Sequence, residues 1–196
     1  MRAFAGDTIS EEKYARIWAL ALPYLERGKK KDFVLHTKCV IRSMQMLLEH
    51  ESGCADVLMP AAILHDTGWS KVPVLLQKSL DKVEAKKAMQ MHLEYGAAIA
   101  KKLLIKLGYD KDKINRIANL VFAHKFQNPQ DCEKQLMIDA DTLTDVFYEQ
   151  FYADCKDYKL TPEALFNIRK NNKYYTETTK TIFIVELEKR KKEIWK

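Results

Sequence analysis

An all-α fold is what this 196-residue sequence predicts. Apolar residues recur at i, i+3, i+4 and i+7 in one segment after another, the spacing of a helix face turned to a core. The breaks between those segments fall on Gly, Pro and capping Asp or Thr. Only one stretch, near the C-terminus, has the β-branched run expected of a strand. The length suits one domain with a full core. We expect a helical core over residues 1–160 and a C-terminal helical extension over 161–196 packed on it, with no internal repeat and no low-complexity tract.

The first helix begins near Thr8, which stands with Glu11 at capping-box spacing, and runs to about Glu26 with Tyr14, Ile17, Trp18, Ala21 and Leu25 inward. Gly28 ends it. After the turn Lys29-Lys30-Lys31, Asp32 caps a second helix to about His50, whose inward stripe is Phe33, His36, Val40, Met44 and Leu47. A third helix follows Asp56, accepts Pro60 in its first turn, and carries Leu58, Ala61, Ala62 and His65 on one side until Gly68 stops it. Its last turn is the His65-Asp66 pair. Residues 67–85, with Gly68, Pro73 and mixed charges, read as a long loop with one helical turn, of a length that often forms a lid. The next helix spans roughly 86–107 and is closed by Gly108. From Asp112, Ile114, Ile117, Val121 and His124 recur at helical spacing, and after Pro129 a helix carries Leu136 to Phe151 with Asp141 inside it. Thr161-Pro162-Glu163 opens a short helix. Thr176 to Val185 favour strand and Glu186 to Lys196 favour helix; we read 173–196 as helix, because the chain offers no second strand to pair with.

The formal charge of +6 and pI of about 9.0 come mainly from lysines scattered among acids. Without an Arg/aromatic motif or a basic stripe, this describes a solvated surface rather than a nucleic-acid interface. Met1 to Ser10 holds no apolar run of the signal-peptide kind, and nowhere do eighteen uncharged apolar residues follow one another, so a cytoplasmic protein without a membrane span is expected. Cys39, Cys54, Cys132 and Cys155 form no CxxC pair and read as reduced, small core fillers.

Four of the five histidines, His36, His65, His92 and His124, fall on the apolar faces of separate predicted helices. A single such histidine is ordinarily a core imidazole hydrogen-bonded to backbone. Four in one small core, with aspartates at two further helical sites, do not fit that explanation independently, and a metal centre satisfies them together. His50, between Glu49 and Glu51, reads as a surface residue. Adjacent helical residues point about 100° apart, so His65 and Asp66 can share a centre only where the helix ends and the backbone departs. Asp66 has two oxygens and can bridge two ions, with His36, His65 and Asp141 on one and His92 and His124 on the other. This donor set suits iron or manganese first, accommodates zinc, cobalt or nickel, and does not suit calcium.

In the order H…HD…H…H…D the chain resembles the HD-domain superfamily of metal-dependent phosphohydrolases over about residues 30–150. The resemblance rests on His36 in His-Thr-Lys-Cys-Val-Ile, on Ala-Ala-Ile-Leu-His65-Asp66-Thr67-Gly68, and on Asp141 in Ala-Asp-Thr-Leu. It implies an all-α HD-domain bundle with a central metal site, and hydrolysis of a phosphoester or phosphoanhydride, in a nucleotide or small phosphorylated metabolite, by a hydroxide bridging the ions. His92 in His-Leu-Glu-Tyr-Gly-Ala and His124 in Phe-Ala-His-Lys match the branch with two metals. Many such members carry a lysine three residues after the HD aspartate, where this chain has Trp69; Lys71 is the candidate substitute. Asp66 and Lys71 are thus the expected catalytic residues, with Lys125 and Arg42 as further phosphate contacts, although each of these bases also reads as a solvated surface charge. The Gly-Tyr-Pro signature of cyclic-dinucleotide phosphodiesterases, the acidic pair of alarmone hydrolases and the glutamate of one-metal nucleotidases are missing. Two alternatives accompany the hydrolase reading: an HD-type di-iron oxygenase acting on a small organic substrate, and a non-catalytic regulatory HD domain.

Overall fold

A computed structural model describes residues 12–28 and 33–196. Among the described residues there is no strand. The order is α1 Glu12–Leu25, α2 Phe33–Leu48, α3 Ala55–Leu64, a 3-10 turn Thr67–Lys71, α4 Val74–Lys78, α5 Lys82–Lys106, α6 Lys111–Ala123, α7 Cys132–Leu143, a second 3-10 turn Thr144–Val146, α8 Tyr148–Tyr158, α9 Pro162–Arg169 and α10 Glu177–Ile194. The Thr8/Glu11 capping box, the triple-lysine turn and the Asp32 cap lie outside the described residues.

α3 is the spine of the core. Every residue from Val57 to Leu64 is buried, and α1, α2, α5, α6 and α7 all pack on it. Their inward stripes meet it through residues such as Ile17, Met44, Leu104, Ile117 and Met137. Burial of each such side chain is worth about 1.5–3 kcal/mol. The surrounding helices start where their side chains cap them: Asp81 accepts hydrogen bonds from the amides of Val83 and Glu84, Asp110 from those of Asp112 and Lys113, and Asp131 from that of Lys134. α8, α9 and α10 add smaller apolar clusters, one around Phe147, Tyr174 and Phe183 and one around Phe151, Leu165 and Phe166.

Three elements differ from the sequence expectation. Residues 67–85 are a 3-10 turn, a short helix and the first residues of α5 rather than a long loop. The buried Gln77 amide closes this region by donating to the carbonyls of Trp69 (3.0 Å) and Val72 (2.6 Å), a local side-chain tie with no periodicity to announce it. The helix expected over Leu136–Phe151 is two helices. Thr144 Oγ1 turns back to the Asp141 carbonyl at 2.7 Å and Phe147 is extended (φ −69°, ψ 139°), so α8 begins afresh. Pro60 lies in the second turn of α3 rather than the first, because the helix starts earlier, at Ala55. The Thr-rich C-terminal segment is helical as expected, with Thr176 accepting from the Thr179 amide at its start. Of the cysteines, Cys39 and Cys155 are buried, while Cys132 is exposed and Cys54 half-buried, so only two are core fillers. Burial pushes the Cys39 thiol up to about 12.

Candidate metal centre

Five helices deliver six side chains to one point beside the end of α3. His36 comes from α2, His92 from α5 and Asp141 from α7, while His65 follows the last residue of α3 and His124 the last residue of α6. At Asp66 the backbone has left helical geometry (φ −98°, ψ 2°) for the bridge region, where many active-site residues sit. The helix end therefore turns two consecutive side chains inward.

Five of the six groups form two triads that share Asp66. On one side Asp66 Oδ2 is 3.5 Å from His36 Nε2 and 3.4 Å from His65 Nε2, and those two nitrogens are 3.3 Å apart. On the other, Asp66 Oδ1 is 3.3 Å from His92 Nε2 and 3.8 Å from His124 Nε2, again with the nitrogens 3.3 Å apart. Asp141 joins the first triad, its Oδ1 lying 3.1 Å from His36 Nε2 and 3.9 Å from His65 Nε2. The first triad reaches solvent and the second does not. The His36 side chain is 18% exposed, while those of His65, His92 and His124 are at 0%.

Hydrogen bonds set which nitrogens face inward. His65 Nδ1 meets the Ala62 carbonyl at 2.8 Å and His124 Nδ1 the Val121 carbonyl at 2.6 Å. With the proton on Nδ1, each neutral ring turns its Nε2 lone pair toward the centre. Burial, reinforced by Lys125, holds His124 well below the ordinary imidazole value. Burial also lowers His92, to about 4, against the pull of Asp66. Burial would raise Asp66, yet the imidazoles of His65, His36 and His92 outweigh it and keep the carboxyl well below the usual range. At His65 the balance is reversed: burial disfavours its charge, but Asp66 and Asp141 prevail and the pKa rises. The centre thus draws positive charge toward its two carboxylates. Asp66 Oδ1 is buried with no hydrogen-bond partner. Facing lone pairs, an unsatisfied carboxylate oxygen and an all-His/Asp donor set fit a site for divalent transition metal.

Of the candidate basic residues, Lys125 is the one at the centre: its ammonium pairs with Asp141 Oδ2, and its side chain is 37% exposed. Lys71 is exposed at the end of the first 3-10 turn and makes no hydrogen bond or ion pair with the cluster. Arg42 is engaged elsewhere, donating to both carboxylate oxygens of Glu149 at 3.3 and 3.2 Å and lying over the Phe147 ring. His50 is exposed, as expected. Sequence reasoning treated Trp69 only as a replaced lysine, whereas its indole stacks on His92. Asp139, two residues before Asp141, has a structural part that no spacing in the sequence announces. It is buried and accepts hydrogen bonds from the amides of Tyr175 and Thr176, both 2.9 Å, tying the start of α10 to the helix that carries Asp141.

Among known proteins, a family model described as HD domain matches residues 34–145, more than half of the chain and the span that contains all six converging residues. No curated protein and no solved structure matches the chain.

Proposed function

The chain belongs to the HD-domain family, and on that premise we propose that it is a metal-dependent phosphohydrolase with a two-ion centre, cleaving a phosphoester or phosphoanhydride in a nucleotide or small phosphorylated metabolite. The observation that carries this reading is the position of Asp66. Its two oxygens face two different histidine pairs, the arrangement of a carboxylate that bridges two cations. His36, His65 and Asp141 would complete the first site, and His92 and His124 the second. Bound there, divalent ions supply Lewis acidity that neutralises charge on the transferred phosphoryl group and lowers the pKa of a water.

The remaining work falls to the chain's own residues. Lys125 stands at the exposed side of the first triad with one partner, Asp141 Oδ2, and donors to spare for phosphate oxygens. It is better placed for that contact than Lys71, which would have to reach in from the 3-10 turn. The carbonyls of Ala62 and Val121 hold His65 and His124 in the tautomer that presents Nε2 to the centre. The walls of the second triad exclude water, so each charge acts through protein rather than solvent.

Metal analysis of protein purified without chelator, followed by a panel of phosphatase and phosphodiesterase substrates, tests the proposal. One to two iron or manganese ions per chain, with turnover abolished by chelation and restored by the ion, is the expected result. Turnover that consumes O₂ and requires ferrous iron would replace hydrolysis with oxygenase chemistry. Protein with neither bound metal nor metal-dependent turnover would overturn the reading.

A further inference from the structure

Two of the three fully buried histidines are fixed by backbone carbonyls, and His92 is not. Its Nδ1 is buried without a hydrogen-bond partner, while Nε2 faces Asp66 and His124. What the ring has instead is Trp69, whose indole lies on its face with centroids 4.4 Å apart and planes 9° from parallel. Phe33 of α2 continues the stack, 6.4 Å from Trp69 at 28°.

This placement is built into the backbone. The 3-10 turn carrying Trp69 lies directly against α5 because residue 68 is glycine: a Cβ there would sit 2.0 Å from the His92 carbonyl oxygen and 2.5 Å from the Gly96 amide nitrogen. Gly96 makes the matching concession on α5, where a Cβ would meet Val121 at 3.1 Å and the His65 carbonyl at 3.4 Å. Two close approaches therefore press the indole onto one imidazole.

We infer that Trp69 is a positioning residue for the second ion of the proposed centre: by fixing the plane of the His92 ring it fixes where Nε2 points, the task that carbonyls perform for His65 and His124. The inference rests on reading His92 as a ligand. A carbonyl partner sets both tautomer and orientation, and it makes the opposite nitrogen more basic. A stacked indole sets orientation alone, but its electron-rich face favours the positive charge that an imidazole gains on binding a cation. The residue three positions after Asp66 then acts on the ion through His92 instead of contacting substrate.

Cobalt titrations of chelator-stripped protein, followed by absorption and by competition with a chelator, separate the outcomes. In Trp69→Leu the second ion should bind about 10–100-fold more weakly while the first is unchanged. Trp69→Phe, which keeps an aromatic face, should recover most of that loss. His92→Ala should lose the second ion outright. If His92→Ala loses an ion but Trp69→Leu binds both as the parent does, the inference fails and the two-ion reading stands. Should His92→Ala retain both ions, His92 is not a ligand and the inference falls with that reading. Equal weakening of both ions, or no recovery with Phe, would reduce Trp69 to a general packing role and overturn the inference. Where far-UV circular dichroism shows that Trp69→Leu does not fold, Trp69→Met supplies volume without a ring and takes its place.

Discussion

Asp66 is constrained from both oxygens, each facing its own histidine pair. Asp66→Asn keeps the shape and one oxygen but removes the negative charge that would offset two cations. The expected outcome is a folded helical protein that has lost at least one ion and about 100-fold or more in rate, read by metal analysis and by kcat on whichever substrate the panel yields. An Asn variant with parental metal content and turnover would make the His-Asp pair structural. The neighbouring position behaves differently. His65 is held by the Ala62 carbonyl as well as by its carboxylate neighbours, so its ring stays oriented even when its charge changes.

At the scale of elements, the contact between the 3-10 turn and α5 is the least forgiving. Gly68→Ala places a methyl group against backbone atoms that cannot turn aside, so the turn must move off α5. We expect a loss of about 1–3 kcal/mol in chemical denaturation, accompanied by a change in Trp69 emission. The other end of α3 is held by charge. Asp56, in its first turn, meets Lys13 of α1 at 2.5 Å and Lys113 of α6 at 2.7 Å. The hydrogen bonds from Lys113 and then Lys13 lower its pKa to about 2. A carboxyl lowered in the folded state stabilises above its unfolded value and loses that contribution as pH falls through the folded one. The Asp56→Asn protein should therefore have a slightly lower urea midpoint than the parent at pH 6 and match it near pH 2. The effect is small, because these groups are substantially exposed.

For the whole molecule, the centre ties together five helices that are distant in sequence, so ion binding should be felt as global stability. At a free-ion concentration a hundredfold above Kd, binding contributes about 2.7 kcal/mol. In a chain of this length that is about 5–10 °C in melting temperature, which addition of a chelator should remove. Much of this architecture was legible in the sequence, because each candidate ligand shares a helical spacing with apolar residues that must face the core. His36 lies among Phe33, Val40 and Met44, and His124 with Ile117 and Val121, so the stripe that located the core also located the imidazoles. What was not legible depends on hydrogen bonds and close approaches that leave no periodic trace. α4 is five residues long, too short for a period, and is closed by the bonds of Gln77. The break before α8 interrupts an apolar pattern that continues across it, and it is visible only in the Thr144 hydrogen bond and the extended Phe147. The Trp69 stack depends on two glycines nearly thirty residues apart coming together, which spacing alone does not state.

The uneven exposure of the two triads leads to an expectation about order in time. Of the four converging histidines only His36, in the first triad, is partly open, while His92 and His124 of the second are sealed. If two ions bind as proposed, the centre should behave as a cul-de-sac in which the inner berth fills first and empties last. Stopped-flow removal of metal by excess chelator should then be biphasic, and His36→Ala, which dismantles the outer berth, should abolish the fast phase. A single phase in the parent would mean that the whole bundle opens to release both ions at once.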